Sequence, residues 1–153
     1  MPEADLKLAR ELAIGLLARR EHSRKELRTK LKVKGIAPDV IEIIADQLLS
    51  EGLQSDQRFT QSYLHSRIHK GYGPLRLEQE LYERGIDEQL VQLCMTGLAI
   101  DWMEMLSMVR QKKFRQAMPT GYNQQAKESR FLQYRGFTTE QIRHFYKNKK
   151  DDE

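Results

Sequence analysis

Almost every segment of this chain spaces its apolar residues three and four apart rather than two apart, the pattern of amphipathic helices and not of strands. Leu6, Ala9, Ala13, Leu16 and Leu17 make the first helical face. Ser23-Arg24-Lys25-Glu26 reads as a capping box, in which Ser and Glu satisfy orphan N–H groups reciprocally, ahead of Leu27 and Leu31 and a stop at Gly35. Pro38 opens a third helix with Val40, Ile41, Ile44 and Leu48 inward and Gly52 as its stop. Ser55 or Asp56 can cap a fourth, carrying Phe59, Tyr63 and Leu64. Lys70-Gly71-Tyr72-Gly73-Pro74 then breaks the pattern. Gly71 suits the left-handed residue that ends a helix, and Pro74 suits the first position of the next, which carries Leu77 and Leu81 and ends at Gly85. Asp87 can cap a helix through Leu90, Val91 and Cys94, and Asp101 one with Trp102, Met105, Leu106 and Val109 on one side. After a break at Met118-Pro119-Thr120-Gly121 come a helix through Phe131 and Leu132, ending at Gly136, and a second capping box at Thr138–Gln141 before Ile142, Phe145 and Tyr146. Lys149 to Glu153 reads as a frayed tail.

These nine helices fall into threes. Leu31-x-x-x-Gly35-Ile36 recurs as Leu81-x-x-x-Gly85-Ile86 and Leu132-x-x-x-Gly136-Phe137, at spacings of 50 and 51 residues. Six residues beyond each glycine stands Ile41, Val91 or Ile142. Leu27 matches Leu77 at eight before the glycine, where the third copy has Glu128. A fixed period with an apolar frame points to tandem repeats, and a unit of three short helices buries too little alone, so the copies should lean on one another. The expectation is an all-α, elongated and curved array of three three-helix repeats, at 1–53, 54–98 and 99–150, with 151–153 as the tail.

Composition sharpens this. The chain has 153 residues, 31% of them charged, and a net charge of +4. Charge alternates in blocks. Residues 19–34 hold eight Lys/Arg, 35–56 five acids and no base, and 57–77 four bases and no acid. Residues 78–104 hold seven acids and one base, and 105–150 eleven bases and two acids. Each block alone reads as a solvated face; their recurrence suggests a repeated basic surface suited to a polyanion. The single Cys94 excludes an internal disulfide, and its apolar neighbours favour a buried, inert thiol. No apolar run approaches the ~20 residues that span a bilayer, and the acidic start lacks the pattern of a signal peptide, so an intracellular protein is expected.

Catalytic signals are weak. His65 and His69 lie four apart without a carboxylate between Asp56 and Glu78, which disfavours a metal site, and no phosphate-loop or dinucleotide motif occurs. Polyanion contact fares better. Arg24, Arg28 and Lys32 form a row apart from the core face, with Lys25 beside it. Lys70, Tyr72 and Arg76 surround the central break. Tyr72 either stands exposed to stack on a base or packs across the helix junction. Arg110, Lys112, Lys113 and Arg115 extend a third basic segment, or form a solvated helix end favoured by the helix dipole. Helix–break–helix also suggests an operator-reading DNA binder, but Glu78, Glu80 and Glu83 on the second helix of the middle repeat would repel phosphate.

The run Asp56-x-Arg58-Phe59, then Arg67-x-x-x-Gly71-x-Gly73-Pro74-x-Arg76-Leu77-x-x-Glu80-Leu81-x-x-x-Gly85-Ile86, closely resembles the bacterial RecX regulatory family. Leu17-x-x-Arg20-x-His22-Ser23-x-x-Glu26-Leu27 and Phe131-Leu132-x-x-Arg135-Gly136-Phe137 support it, and the resemblance covers nearly the whole chain. It implies three three-helix repeats in a cytoplasmic, monomeric, non-enzymatic protein without a cofactor. It further implies binding to the RecA–DNA filament, with single-stranded and also duplex DNA as partners, and inhibition of RecA in recombination, repair and the SOS response. The residues expected to meet filament or nucleic acid are Arg20, Arg24, Lys25, Arg28, Lys32, Arg67, Lys70, Tyr72 and Arg76. A direct helix-turn-helix-type repressor is the alternative.

Overall fold

The computed structural model describes residues 2–152, with side chains described for residues 3–149. Nine helices and no strand occur among them: α1 Pro2–Arg19, α2 Arg24–Val33, α3 Pro38–Ser50, α4 Asp56–His69, α5 Pro74–Glu83, α6 Glu88–Thr96, α7 Trp102–Phe114, α8 Tyr122–Arg135 and α9 Thr139–Asp152. The expected caps are present. Ser23 and Glu26 form the capping box of α2, Asp101 accepts from the N–H groups of Met103 and Glu104, and Thr138 and Gln141 exchange two bonds of 2.9 Å. Ser55 caps α4 through the Arg58 N–H. Asp56 turns instead to the N-terminus of α2, accepting the Arg24 N–H at 2.9 Å and the Gln54 amide at 2.9 Å. The last helix continues through Asp152, past the tail expected from Lys149, and Glu153 lies outside the described residues.

The threefold register holds in space. Leu31, Leu81 and Leu132 are buried, as are Ile36, Ile86 and Phe137 five positions later, and Ile41, Val91 and Ile142 beyond them. Gly35, Gly85 and Gly136 all have positive φ, between 79° and 102°, so each helix end is closed by a left-handed residue that a side chain would strain. Burying a leucine of this kind is worth roughly 1.5–3 kcal/mol.

The chain divides into two compact units that cut across the middle repeat. One comprises Met1–Tyr63 with Leu81–Met95, the other Leu64–Glu80 with Thr96–Glu153. In the first, Ala9 and Ala13 of α1 pack with Leu27 and Leu31 of α2 and Ile41, Ile44 and Leu48 of α3. In the second, Leu106, Leu132, Phe137, Ile142, Phe145 and Tyr146 form the core, with Trp102, Met105 and Val109 against it.

Each unit contains one joint between repeats, built at the same register positions. In the first, the N-terminus of α2 meets the C-terminal end of α5. The Ser23 hydroxyl donates to the Arg84 carbonyl at 2.8 Å and the Lys25 ammonium to the Glu83 carbonyl at 3.0 Å. In the second, the N-terminus of α5 meets the end of α8: the Gly73 N–H donates to the Arg135 carbonyl at 2.8 Å and the Leu75 N–H to the Gly136 carbonyl at 3.0 Å. Ser23 and Gly73 both stand twelve residues before their own repeat's glycine, and Arg84 and Arg135 both stand one before it. Carbonyls that a helix end leaves orphaned are thus met by the neighbouring repeat. At the second joint the backbones approach so closely that a Cβ on Gly73 would lie 2.5 Å from the Gly136 carbonyl carbon. A Cβ on Gly35 would meet nothing within 4 Å.

His22, part of the motif before α2, is fully buried. Its Nε2 accepts from the Lys30 ammonium at 2.8 Å, so the ring proton sits on Nδ1 and is donated to the Arg20 carbonyl at 3.0 Å. Burial, with help from Arg20 and Lys30, lowers its pKa below the ordinary 6.5.

Two outcomes are expected. Gly73 does not have a positive φ whereas Gly35 does, so Gly35→Ala should cost only the left-handed strain of about 1–2 kcal/mol. Gly73→Ala must displace backbone, and should lower the melting temperature by clearly more in paired thermal scans. For His22, the unfolded chain takes up its proton first as pH falls, so stability from this site is complete above pH 6.5 and is lost as pH drops through the lowered folded value. The urea midpoint should therefore fall over that window, and His22→Gln should flatten the fall while lowering the midpoint at neutral pH.

Candidate interaction surface

The cations expected on α2 do not form an open row. The Arg24 guanidinium reaches Glu42 at 3.0 Å and Asp46 at 2.6 Å on α3. Arg28 pairs with both oxygens of the same Glu42. Hydrogen bonds from Arg28 and then Arg24 hold the Glu42 carboxyl down, to a pKa of about 2. The acidic block that follows the basic one in sequence therefore folds back and neutralises it. Lys25 is spent on the joint with α5, and Arg20 grips Glu26 with two bonds of 3.0 and 3.2 Å. Lys32 alone of the row is exposed with no carboxylate within 4 Å among the described residues.

The residues around the central break do come together. Tyr72, held between the two glycines that end α4 and begin α5, is half-buried, and its ring is covered by guanidiniums: Arg67 at 3.9 Å, Arg76 at 4.4 Å and Arg135 at 5.0 Å from its centroid. Of the two readings of Tyr72, packing across the junction is the one the geometry takes. Arg67 binds Glu80 through two bonds of 3.0 and 2.7 Å, and Arg76 shares that carboxylate at 3.3 Å. Arg76 also donates to the Tyr134 carbonyl at 3.1 Å and lies 5.0 Å from the centre of that ring. Arg135 donates to the Lys70 carbonyl at 3.1 Å. Three guanidiniums, Arg67, Arg76 and Arg135, thus gather around the Tyr72 ring, and two of them, Arg67 and Arg76, share the Glu80 carboxylate. The exposed aromatic beside them is Tyr134, at 71% exposure. Neither Arg135 nor Tyr134 stood out in sequence as a contact residue. The register carried a signal for Arg135, which occupies the place of Arg84 and Lys34 immediately before the repeat glycine.

Three family models match in tandem and together span most of the chain. They describe the first, second and third three-helix domains of RecX, at residues 9–48, 55–95 and 100–146. The chain belongs to the RecX family. It is 42% identical over 137 residues to the regulatory protein RecX of Pseudomonas fluorescens strain Pf-5, covering 90% of this chain and 88% of that one. It is 36% identical over 134 residues to the regulatory protein RecX of Halorhodospira halophila, covering 88% and 83%. The crystal structure of RecX from Lactobacillus salivarius shares the fold, with a TM-score of 0.81 at 23% identity over 95% of this chain and 97% of that one. The all-α array of three tandem three-helix repeats is the RecX architecture.

In this RecX-family chain the third repeat departs from the surface expected of it. Arg110, placed by sequence in a basic or solvated segment, is buried. It sits one turn beyond Leu106 on the inward face of α7 and forms bonds of 2.8 and 3.0 Å with Glu128. Glu128, fully buried, is the residue that replaces Leu27 and Leu77 in the repeat register. It also accepts from the Tyr146 hydroxyl at 2.7 Å and the Gln124 amide at 3.2 Å. Burial alone would raise the Glu128 pKa; the bonds from Arg110, Tyr146 and Gln124 outweigh it and hold the group below its ordinary value. Burial, then the bond to Glu128, pushes the Tyr146 hydroxyl up. The mismatch at Glu128 is therefore one half of a buried ion pair. Lys112, Lys113 and Arg115 remain exposed.

His65 and His69 are both exposed, and among the described residues no group of three His, Cys, Asp or Glu side chains is placed to hold a metal ion. Cys94 is buried, which pushes its thiol pKa up. No described helix is long and apolar enough to cross a membrane.

Arg110→Met should strand the buried Glu128 carboxylate and destabilise by about 3–5 kcal/mol. Combining it with Glu128→Leu and Tyr146→Phe should recover most of that loss, since the whole polar network is then replaced by apolar groups. Chemical denaturation of the single and triple variants checks both.

Proposed function

We propose that this chain is a non-enzymatic, cytoplasmic regulator that binds the RecA recombinase assembled on DNA and inhibits its strand exchange, ATP hydrolysis and coprotease activity in repair and the SOS response. Membership of the RecX family, whose relatives are called regulatory proteins, supports the reading. The geometry contributes the cationic cluster of Arg67, Lys70, Arg76 and Arg135 with the exposed Tyr134 beside it. A nucleoprotein filament offers phosphates for the cations, whose binding is driven by counterion release, and unstacked bases for the aromatic ring. Arg24 and Arg28 contribute less, because Glu42 and Asp46 already satisfy them. Lys32 keeps an unpaired charge and adds to the electrostatic approach.

The deciding experiment follows ATP hydrolysis by recombinase on single-stranded DNA while this protein is added. Activity should fall at substoichiometric amounts if growing filaments are capped, and undiminished activity would reject the reading. Sequence-selective duplex binding without recombinase, surviving physiological salt, would favour a direct repressor instead. Lys70→Gln with Tyr134→Ala, both exposed, should weaken inhibition by about tenfold and reduce the salt slope by about one. Arg24→Gln with Arg28→Gln should change it by less than about twofold, since paired surface charges contribute little.

A further inference from the structure

A broad concavity lies in the second compact unit. It is a groove of about 1080 Å³ between the end of α4, the segment entering α7, α7 itself and the end of α8. Its floor is aliphatic and sulfur-bearing: Ile68, Ile100, Met105, Met108 and Val109, with Phe131 at one end. Met108 is 64% exposed there, although it neighbours the fully buried Leu106 on the same helix. Methionine rows of this kind adapt to an apolar partner.

The charges along the rim are unequal in number and in commitment. Lys70, Lys112, Lys113 and Arg135 stand along it against Asp101 and Glu104. Asp101 is engaged in capping its own helix. Lys70, Lys112 and Lys113 have no carboxylate within 4 Å among the described residues. This is the opposite of the α2 row, where each guanidinium has found an acid.

We propose that this groove binds an amphipathic helix of a partner protein, with aliphatic residues on one face and acidic residues flanking them. The apolar floor supplies the seat for anchors at i, i+3, i+4 and i+7, and the unpaired lysines supply the rim. A nucleic acid fits less well. The floor residues Ile68, Ile100, Met105, Met108 and Val109 carry no side-chain donor for a base edge, and the Phe131 ring is already flanked by Lys113 at 5.4 Å and Arg135 at 5.3 Å and met edge-on by Phe114. In a second copy of the chain the acidic block at 35–56 is already engaged internally. Glu42 and Asp46 hold Arg24 and Arg28, Glu51 holds Arg10 at 2.7 Å, and Asp56 caps α2.

The probe is a fluorescein-labelled peptide of roughly four helical turns, with leucine at the anchor spacing and glutamate elsewhere, titrated with the full chain and followed by anisotropy. A scrambled peptide of identical composition is the control, and no recombinase is present, so the outcome is separate from that of the recombinase reading. The patterned peptide should bind at least about tenfold tighter than the scrambled one. Met108→Asp should weaken it by about tenfold, as should Lys112→Glu with Lys113→Glu. These side chains are exposed, and unchanged helicity by circular dichroism shows that the variants fold. Equal binding of the two peptides, no effect of Met108→Asp, competition by oligo-thymidylate at equal concentration, or self-association in sedimentation that the peptide does not disperse would each overturn the proposal.

Discussion

A helix that stops in the middle of a protein leaves its last carbonyls without partners, and at two of its helix ends this chain meets that constraint by giving them to the preceding repeat. At the end of α5 the Glu83 and Arg84 carbonyls accept from Lys25 and Ser23; at the end of α8 the Arg135 and Gly136 carbonyls accept from Gly73 and Leu75. The glycine closing each of these helices has to be left-handed, and has to be small enough for the neighbour's helix to arrive. One residue type therefore ends the helix, sets the register of the repeat and makes room for the joint. The two compact units divide the middle repeat because α5 takes part in a joint at each of its ends.

The joint also explains why the repeats are alike without being interchangeable. α2 and α5 are ten residues long, but α8 has fourteen, so its N-terminus lies a turn further from the repeat glycine. In the same region Glu128 takes the place of a core leucine and pairs with Arg110. A buried ion pair of this kind contributes little net stability compared with an apolar pair, but it penalises any arrangement that separates its members. The last repeat is thereby distinguished from the two that present a docking end. At the other extremity Gly35 closes α2, and a Cβ there would meet nothing within 4 Å.

Charge follows the same logic of neighbours. The basic and acidic blocks are each about one or two helices long, and folding a repeat lays one block against the next. Arg24 and Arg28 meet Glu42 and Asp46, and Arg10 meets Glu51. Lys70 at the break between α4 and α5, and Lys112 and Lys113 on α7, have no carboxylate within 4 Å among the described residues. Interaction surfaces here are the remainder after internal neutralisation, and their location depends on which helices become neighbours.

The sequence by itself determined the helices, their caps, the core face of each and the threefold register, because these depend on contacts within a few residues or on a period that repeats. Leu31, Leu81 and Leu132 could be equated before their burial was seen, and the run from Asp56 to Ile86 carried the family. Only the tertiary structure decided which charges are free. Arg24 and Arg110 look alike in sequence, as basic residues on amphipathic helices, yet one is tied to the surface of α3 and the other is buried against Glu128. Tyr72 is the aromatic that the sequence singles out, yet three guanidiniums enclose it, while Tyr134 faces solvent. The reason is range: a cap or a period is set by residues three or four apart, whereas a charge is cancelled by whichever helix is brought alongside it.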